Sequence, residues 1–229
     1  KAAIQIGSKP MIQWVLEALE QSRVIDDVVV VGCEKLQPQI KSTKILQYQP
    51  AAEDIILNFQ RGAEVLLEKD PTIRNVAVVS SDIPLITPQS IDWVVHKTKE
   101  SEHDLYYFVI TQERMEEIYP NSGRSYTKLK DINVCGGDLS VINLDLYKTK
   151  KDFWRKVFLA RKSSLRQAAL IGLDILLLLL LRQLTLQDTV KRVTQRLGIT
   201  GQGLTCPYPE IGMDIDKPHQ LLIARNELT

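Results

Sequence analysis

The sequence is short of cysteine and of net charge, and each shortage excludes a class of protein. Its 229 residues contain only three cysteines, Cys33, Cys135 and Cys206, which are far apart and show no C-x-x-C spacing. This pattern argues against a disulfide framework and a structural zinc site, and it favours a reducing, cytoplasmic compartment. Lys and Arg number 29 and Asp and Glu 28, so the net charge of +1 provides no positive field for a nucleic-acid backbone. We therefore expect no nucleic-acid partner.

Long apolar runs and a hydrolase motif are missing as well. The longest apolar run, Ile175 to Leu181, has seven residues, whereas a membrane-spanning helix needs about 20. The sequence does not open with a basic and then apolar secretion signal. It contains no G-x-S-x-G nucleophile elbow, and its three histidines pair with no cysteine or serine in a recognisable motif. We expect neither a transmembrane segment nor Ser-His-Asp chemistry.

What the sequence does contain is an alternation of apolar β-branched runs with segments of helical period. This rhythm is typical of βαβ units and predicts an α/β fold, a three-layer sandwich around a mixed, mostly parallel twisted sheet. In the first half we predict the helices Met11 to Gln21, Ile55 to before Pro71 and Pro88 to Lys99, and the strands Val28 to Val31, Lys44 to Tyr48 and Val76 to Val79.

The second half predicts two further strands and a helical region. The strands are Leu105 to Ile110 and Asp138 to Asn143, the latter after the pair Gly136 and Gly137, with a long polar insertion between them. Residues 1–229 are expected to form a single domain that carries a helical insertion over residues 147–201. A short extended segment from Thr205 and a helix from Pro218 to Asn226 complete the prediction.

Asp82 is the first candidate for chemistry. It follows the predicted strand Val76 to Val79, expected to be buried and parallel, and ligands in open α/β sheets bind beyond the carboxyl ends of the strands. A carboxylate there suits Mg²⁺, which takes one or two protein carboxylates and fills its other positions with water and phosphate oxygens. The structural alternative is an aspartate that caps the next turn through its own backbone.

Asp214 and Asp216 form the second acidic group. They are two residues apart, so in an extended segment both side chains share one face, and one of them could complete a metal site. Asp216 precedes a Pro-containing helix start and is also a natural N-cap. We therefore rank Asp214 first as the ligand and Asp216 second.

Lys1 and Lys9 are the basic candidates at the start of the chain. Both lie close to the predicted helix at Pro10, and a lysine is a compact charge that can hold a phosphate during phosphoryl transfer. The alternative is that each lysine is a solvated surface residue.

Four motifs together resemble the MobA-like NTP transferase family, whose members have the GT-A, or nucleotide-diphospho-sugar transferase, fold. The opening K-A-A-I-Q-I-G-S-K-P-M-I is similar to the end of the family's N-terminal signature. The other three motifs are S-S-D-I-P-L-I-T at Ser80 to Thr87, C-G-G-D-L at Cys135 to Leu139 and G-M-D-I-D-K-P-H-Q-L at Gly212 to Leu221. The resemblance covers nearly the whole chain.

The resemblance implies roles for named residues. Lys1 corresponds to the signature lysine that contacts the nucleotide phosphates, and Asp82 and Asp214 correspond to the two positions that hold a catalytic Mg²⁺. Lys9 and Ser81 are the further candidates for contact with the nucleotide or its phosphates. The glycine-rich first half of the signature, L-x-G-G-x-G-x-R, does not occur in this sequence, which begins with Lys1 rather than Met. We expect that the true start is not represented here; the alternative is a protein that lacks the loop and is inactive.

The resemblance also implies an acceptor side. In the family, the region of Gly136, Gly137 and Asp138 faces the phosphorylated acceptor, and glycines there permit close approach of a ligand to the backbone. The structural alternative is a β-turn or a bulge. Arg124, with Tyr126 and Lys128 in the same polar insertion, is a candidate for the acceptor phosphate, although such residues are often simply solvated.

The segment from Lys148 to Arg166 has eight basic residues and one acid, and a Leu-rich run follows it. An amphipathic basic helix of this kind could make a peripheral contact with an anionic membrane or form a homo-oligomer contact. The alternative, which we favour, is an ordinary helix that packs its aromatic residues on the core.

The sequence therefore predicts a Mg²⁺-dependent nucleotidyltransferase. It would move an NMP group from an NTP to a phosphorylated small molecule and release pyrophosphate. Two alternatives remain open: a GT-A glycosyltransferase that uses a nucleotide sugar, and a catalytically silent binding or assembly subunit on the same fold.

Overall fold

A computed structural model describes residues 1–53, 55–150, 153–154 and 169–229. In its first half, strands and helices alternate in the order β1 Gln5–Ile6, β2 Lys9–Pro10, α1 Met11–Gln21, β3 Val28–Val31, β4 Ile45–Gln49, α2 Ile55–Lys69, β5 Asn75–Val79 and α3 Pro88–Thr98, with a 3₁₀ helix at Glu34–Gln39 between β3 and β4. The helices and strands predicted for this half are all present, with ends that differ from the prediction by a residue or two.

The second half contains β6 Leu105–Thr111, α4 Gln112–Ile118, β7 Thr127–Lys128, β8 Asn133–Asn143, α5 Leu144–Thr149, α6 Leu173–Leu180, α7 Leu186–Leu197, β9 Gly201–Thr205, a 3₁₀ helix Pro209–Gly212 and α8 Pro218–Leu228. Two predictions are wrong here. The strand predicted from Asp138 begins at Asn133 and contains the glycine pair, and the extended segment predicted from Thr205 ends there. Helix α4 lies in the polar insertion, for which no helix was predicted.

The central sheet is mixed, as predicted. Its hydrogen-bonded order is β5, β8, β6 and β9, and β7 pairs with the other end of β8. Strands β5, β6 and β7 all run antiparallel to β8, and β9 runs parallel to β6, so β8 alone opposes the other four. The strand before Asp82, β5, therefore has an antiparallel neighbour and half-buried side chains, where we expected a buried strand in a parallel pairing.

Helices cover both faces of this sheet and confirm the three-layer α/β prediction. Phe108 and Ile110 of β6 are fully buried in the main core, which also contains the apolar stripes of α1 and α3. Val109, between them, points to the opposite face because side chains alternate along a strand. There it packs in a second cluster with Leu186 of α7 and Leu179 of α6.

The Leu-rich helix α6 leaves much of its apolar surface exposed. Leu173, Leu177, Leu180 and Leu181 are between 55% and 78% exposed, while Ile175 is buried. Most of the basic segment from Lys148 to Arg166 lies outside the described residues; of its aromatic residues, Trp154 stacks on Phe59 of α2 at 5.3 Å between ring centroids. A membrane or subunit contact through this region stays a prediction. No helix within the described ranges is long and apolar enough to cross a membrane.

Gly212 lies where the C-terminal segment crosses the sheet, and it provides a test of the packing there. A Cβ at this position would be 2.9 Å from the carbonyl oxygen of Gly136 and in contact with Ile110, so Gly212→Ala requires the backbone to move. We expect a loss of about 1–3 kcal/mol in the free energy of unfolding, measured in urea. Gly62 in α2 provides the matched change, because a Cβ there would meet Val31 at an ordinary contact distance of 3.5 Å. Gly62→Ala should raise the free energy of unfolding by about 0.5–1 kcal/mol. Equal effects of the two changes would contradict this packing.

Candidate active site

Asp82 lies in the turn that follows β5 at the edge of the sheet. One of its carboxylate oxygens accepts a hydrogen bond from the Ser80 hydroxyl at 2.6 Å. Its carbonyl oxygen accepts a second bond, at 2.9 Å, from the N–H of Ile215. This main-chain bond attaches the turn after β5 directly to the segment that carries the other two candidate acids.

Asp214 and Asp216 leave the 3₁₀ helix Pro209–Gly212 in an extended segment. Met213 and Ile215 are buried in the core, at 0% and 4% exposure, so the two aspartates between and after them point the other way. The structure thereby brings three acids together: one carboxylate oxygen each from Asp82, Asp214 and Asp216 lie within 4.8 Å of one another. We call these three residues the carboxylate cluster.

Lys1 contacts this cluster from the exposed side. Its ammonium group donates to Asp82 at 3.2 Å and to Asp216. The hydrogen bond to Asp216 raises the pKa of Lys1 despite the opposing effect of burial, and the same bond lowers the pKa of Asp216. Asp216 is thus held in its charged form and, contrary to its reading as an N-cap, does not cap α8, whose N-cap is Lys217.

Arg124 contacts the cluster from the more buried side. Its guanidinium forms an ion pair with Asp214 and lies 4.0 Å from Asp138, and both Arg124 and Asp214 side chains are about one-seventh exposed, at 15% and 14%. Sequence reasoning placed Arg124 at the acceptor phosphate, and the structure puts it between the carboxylate cluster and Asp138. Its Nε and the Asp138 Oδ2 are buried and have no hydrogen-bond partner among the described residues, so polar atoms of a ligand could satisfy them.

A bulge in β8 brings Asp138 to this position. Val109 pairs with Gly136 and Tyr107 with Ser140, so β8 has two more residues than β6 between the two pairs. The extra length contains Gly137 and Asp138, and bulges of this kind re-aim a side chain. The bulge was the structural alternative for the glycine pair; contact of these residues with an acceptor stays a prediction.

The charge of Asp138 is costly in this environment. Burial raises the pKa of Asp138 most, and the nearby charges of Asp82 and Asp216 raise it further, while Arg124 lowers it. A cation or a proton beside this carboxyl group therefore stabilises the folded site.

The other two candidates for phosphate contact are placed differently. Ser81 lies in the same turn as Asp82, but the hydroxyl that binds Asp82 belongs to Ser80. Lys9 forms a salt bridge with Glu17 at 2.5 Å and lies over the Trp14 ring at 3.9 Å. The structure brings Lys1, Asp82, Asp138, Arg124 and Asp214 together, and it gives Lys9 partners of its own.

Glu210 is a buried acid next to this site that the sequence analysis did not identify. It lies in the 3₁₀ helix before Asp214, is 7% exposed, and accepts a hydrogen bond from the Thr87 hydroxyl at 2.8 Å. Burial raises the pKa of Glu210 more than its hydrogen bonds lower it. The sequence signal that could have drawn attention to Glu210 is a single acid in a segment that is otherwise rich in apolar residues.

Glu210→Gln is expected to stabilise the protein, and to do so more strongly at higher pH. The folded protein keeps the Glu210 proton to a higher pH than the unfolded chain, so the wild type loses stability as the pH rises through the raised pKa. Glutamine keeps the oxygen that accepts from Thr87 and brings no charge to bury. Urea unfolding of both proteins at about pH 5 and about pH 8 measures the difference. A variant that is less stable than the wild type at the higher pH would contradict the sign.

Solved structures similar to this chain share its fold. A 2-C-methyl-D-erythritol 4-phosphate cytidylyltransferase from Francisella tularensis aligns with a TM-score of 0.65 and 14% identity, covering all of this chain and 93% of that one. A hypothetical transferase from Thermus thermophilus aligns with a TM-score of 0.83 and 30% identity, covering 96% of this chain and 90% of that one. The chain therefore has the α/β fold of solved nucleotidyltransferases.

Within that class the family is settled by the sequence itself. Residues 1–201 match the family model of the MobA-like NTP transferase domain, and the chain belongs to this family, as its motifs indicated. Curated relatives include probable molybdenum cofactor guanylyltransferases of Thermococcus gammatolerans, 24% identical, and Thermococcus sibiricus, 27% identical, each over 101 residues. The aligned stretch is 44% of this chain and 49% of each relative, so it spans about half the length of these relatives.

Proposed function

We propose that this protein transfers a nucleotidyl group from an NTP to a phosphorylated small molecule and releases pyrophosphate. The observation that carries the proposal is the carboxylate cluster at the sheet edge, flanked by two cationic side chains, Lys1 and Arg124. Such an edge is where α/β folds bind ligands, and alternating charges suit a triphosphate and a metal ion.

The cluster fits a hard divalent cation. Its donors are carboxylate oxygens from three residues close enough to share one ion, which is the ligand type that Mg²⁺ prefers. We propose that Asp82 and Asp214 hold Mg²⁺, with Asp216 as the further ligand. When bound, the ion supplies charge neutralisation and orientation of phosphate oxygens.

The cationic side chains are proposed to bind phosphate groups. Lys1, which is 47% exposed, is free to turn from Asp82 and Asp216 towards the phosphates of an incoming nucleotide. Arg124 would bind the acceptor phosphate, because a guanidinium can donate two parallel hydrogen bonds to one phosphate. A phosphate oxygen of the acceptor forms the new bond to the α-phosphorus, the bond to the β-phosphate breaks, and pyrophosphate leaves. The acceptor oxygen is already ionised, so the step requires no general base.

The relatives suggest where to begin the search for substrates. Those named molybdenum cofactor guanylyltransferases point to GTP as the donor and a form of the molybdenum cofactor as the acceptor, and the structural neighbour named a cytidylyltransferase makes CTP the second choice. The experiment is a pyrophosphate-release assay with each of four NTPs, Mg²⁺ and a panel of phosphorylated acceptors. We expect release with one NTP and one acceptor class. No release, together with no metal-dependent binding of any NTP, would contradict the proposal and leave a binding subunit on the same fold.

A further inference from the structure

Gln220 connects the two halves of the candidate site through a buried carboxamide. It is 1% exposed and lies in the first turn of α8. Its oxygen accepts hydrogen bonds from the N–H groups of Asp216 at 2.9 Å and Lys217 at 2.8 Å. Its NH₂ group donates to the carbonyl oxygen of Ser122 at 3.1 Å. One side chain therefore binds the backbone of the carboxylate cluster and the backbone of the turn before Arg124.

The chemistry of a carboxamide suits this position. Its oxygen accepts hydrogen bonds while its nitrogen donates one, so a single side chain fills both roles at once. A carboxylate could replace the acceptor but not the donor, and a thioether of the same length could replace neither.

The turn Asn121 to Arg124 depends on such contacts. On one side Glu116 accepts from the N–H of Asn121 at 2.9 Å and from the Ser122 hydroxyl at 3.2 Å. On the other side the turn meets the start of α8. The Lys217 ammonium donates to the carbonyl oxygen of Gly123, and a ring nitrogen of His219 lies 3.0 Å from the carbonyl oxygen of Ser122.

Gly123 allows the turn to approach α8 closely. Its φ of +67° is in the left-handed region that favours glycine, and a Cβ there would meet the His219 ring. The guanidinium of the next residue, Arg124, then reaches Asp214. The position of Arg124 is thus fixed by the docking of this turn on α8.

We propose that Gln220 is a positioning residue, which holds the turn of Arg124 at a fixed place relative to Asp216 so that the acceptor phosphate and the cluster are aligned. This inference rests on the proposed function for its effect on turnover. The docking of the turn itself can be tested without any substrate.

The first measurement is hydrogen–deuterium exchange of peptides that cover residues 119–126. The N–H of Asn121 binds Glu116, and the N–H of Ser122 binds the carbonyl of Tyr119. Ser122 is 0% exposed, so loss of the contact with α8 should expose these bonds to water and speed their exchange. In Gln220→Met we expect exchange in this peptide to rise about 10-fold or more. Gln220→Glu, which keeps the acceptor oxygen but not the donor, should raise it as well.

The matched control is Gln13, a second buried glutamine with bonds to the backbone. It is 8% exposed and binds the N–H and carbonyl groups of Lys41 at 2.8 and 2.9 Å, in another part of the fold. Gln13→Met should therefore increase exchange around Lys41 and leave residues 119–126 unchanged. If Gln220→Met and Gln13→Met affect residues 119–126 equally, the inference is wrong.

The second measurement separates the two ends of the carboxamide. Binding of Mn²⁺ to the protein alone should weaken in Gln220→Met, which frees the backbone at Asp216, and should not weaken in Gln220→Glu. In the pyrophosphate assay with saturating NTP, both variants should raise KM for the acceptor about 10-fold and change kcat by less than about 3-fold.

The outcomes distinguish this inference from the proposed function. A wild type with neither turnover nor metal-dependent NTP binding would overturn the function, and the exchange and Mn²⁺ results would still decide whether Gln220 positions the turn. Increased exchange at residues 119–126 with an unchanged acceptor KM would overturn the positioning role.

Discussion

Asp82→Asn is expected to lower kcat/KM for nucleotidyl transfer by about 10³-fold or more, which corresponds to about 4 kcal/mol of lost transition-state stabilisation. Asparagine has the size of aspartate and keeps an oxygen that can accept from the Ser80 hydroxyl. It removes the charge that the proposed metal requires. The bonds from Ser80 and Ile215 survive and the lost contact with Lys1 is exposed, so the fold should not suffer, and circular dichroism and urea unfolding should match those of the wild type.

The chain offers a closely matched control in Asp92. Its carboxylate also accepts a hydrogen bond from a serine hydroxyl, that of Ser22, at the same 2.6 Å, and it too is partly buried. Asp92 lies on α3, where it also binds the N–H of Arg23. Asp92→Asn should leave kcat/KM within about 3-fold of the wild type. If Asp82→Asn keeps more than about a tenth of the activity, Asp82 does not carry the proposed role.

The second large effect is expected on stability. Arg124→Met leaves Asp214 and Asp138 without their guanidinium partner, and breaking a buried ion pair costs about 3–5 kcal/mol. Because the Arg124 and Asp214 side chains are still partly exposed, we expect a loss of about 2–3 kcal/mol in the free energy of unfolding without divalent cations. Urea unfolding at low ionic strength measures it.

A divalent cation should restore this stability. An ion that binds only the folded protein adds about 2.7 kcal/mol at 100 times its Kd, and it would neutralise the same carboxylates. The gain in the free energy of unfolding on adding the ion should be larger for Arg124→Met than for the wild type, in which Arg124 competes with the ion for Asp214. The control is Arg196→Met, whose ion pair with Asp174 is exposed and screened by solvent, so its loss should change stability little. Recovery that is equal in all three proteins would contradict a metal site at the cluster.

The convergence of Asp82 and Asp214 was an expectation from the family resemblance, whereas the local placement of each acid could be predicted from the sequence for a physical reason. An acid directly after an apolar strand must emerge at the sheet edge, and alternation in an extended segment places Asp214 and Asp216 on one face. Neither inference depends on the conformation of a long loop. The direction of the neighbouring strand does depend on the tertiary structure, because an apolar run such as β5 does not encode whether its partner is parallel or antiparallel.

The position of Arg124 and the partners of Lys9 could not be predicted in the same way. Arg124 lies in a loop whose path is set by distant residues, Glu116 on one side and the start of α8 on the other. Lys9 finds Glu17 and Trp14 on the adjacent helix, and spacing alone does not distinguish such a pair from a phosphate site. The Gly136 and Gly137 pair was expected to precede the strand, whereas it belongs to a bulge inside β8, which was the structural alternative for these glycines.

The way the cluster is assembled makes it a reporter of complete folding. Lys1 bonds to Asp82 and Asp216, which lie 81 and 215 positions further along the chain. Closing such long loops costs conformational entropy before the contacts form, so these contacts are expected late in folding. The proposed ion site should therefore be absent from any partly folded intermediate in which the last 20 or so residues have not yet docked. In a refolding time course, quenching or relaxation by Mn²⁺ would then mark the arrival of the final native state.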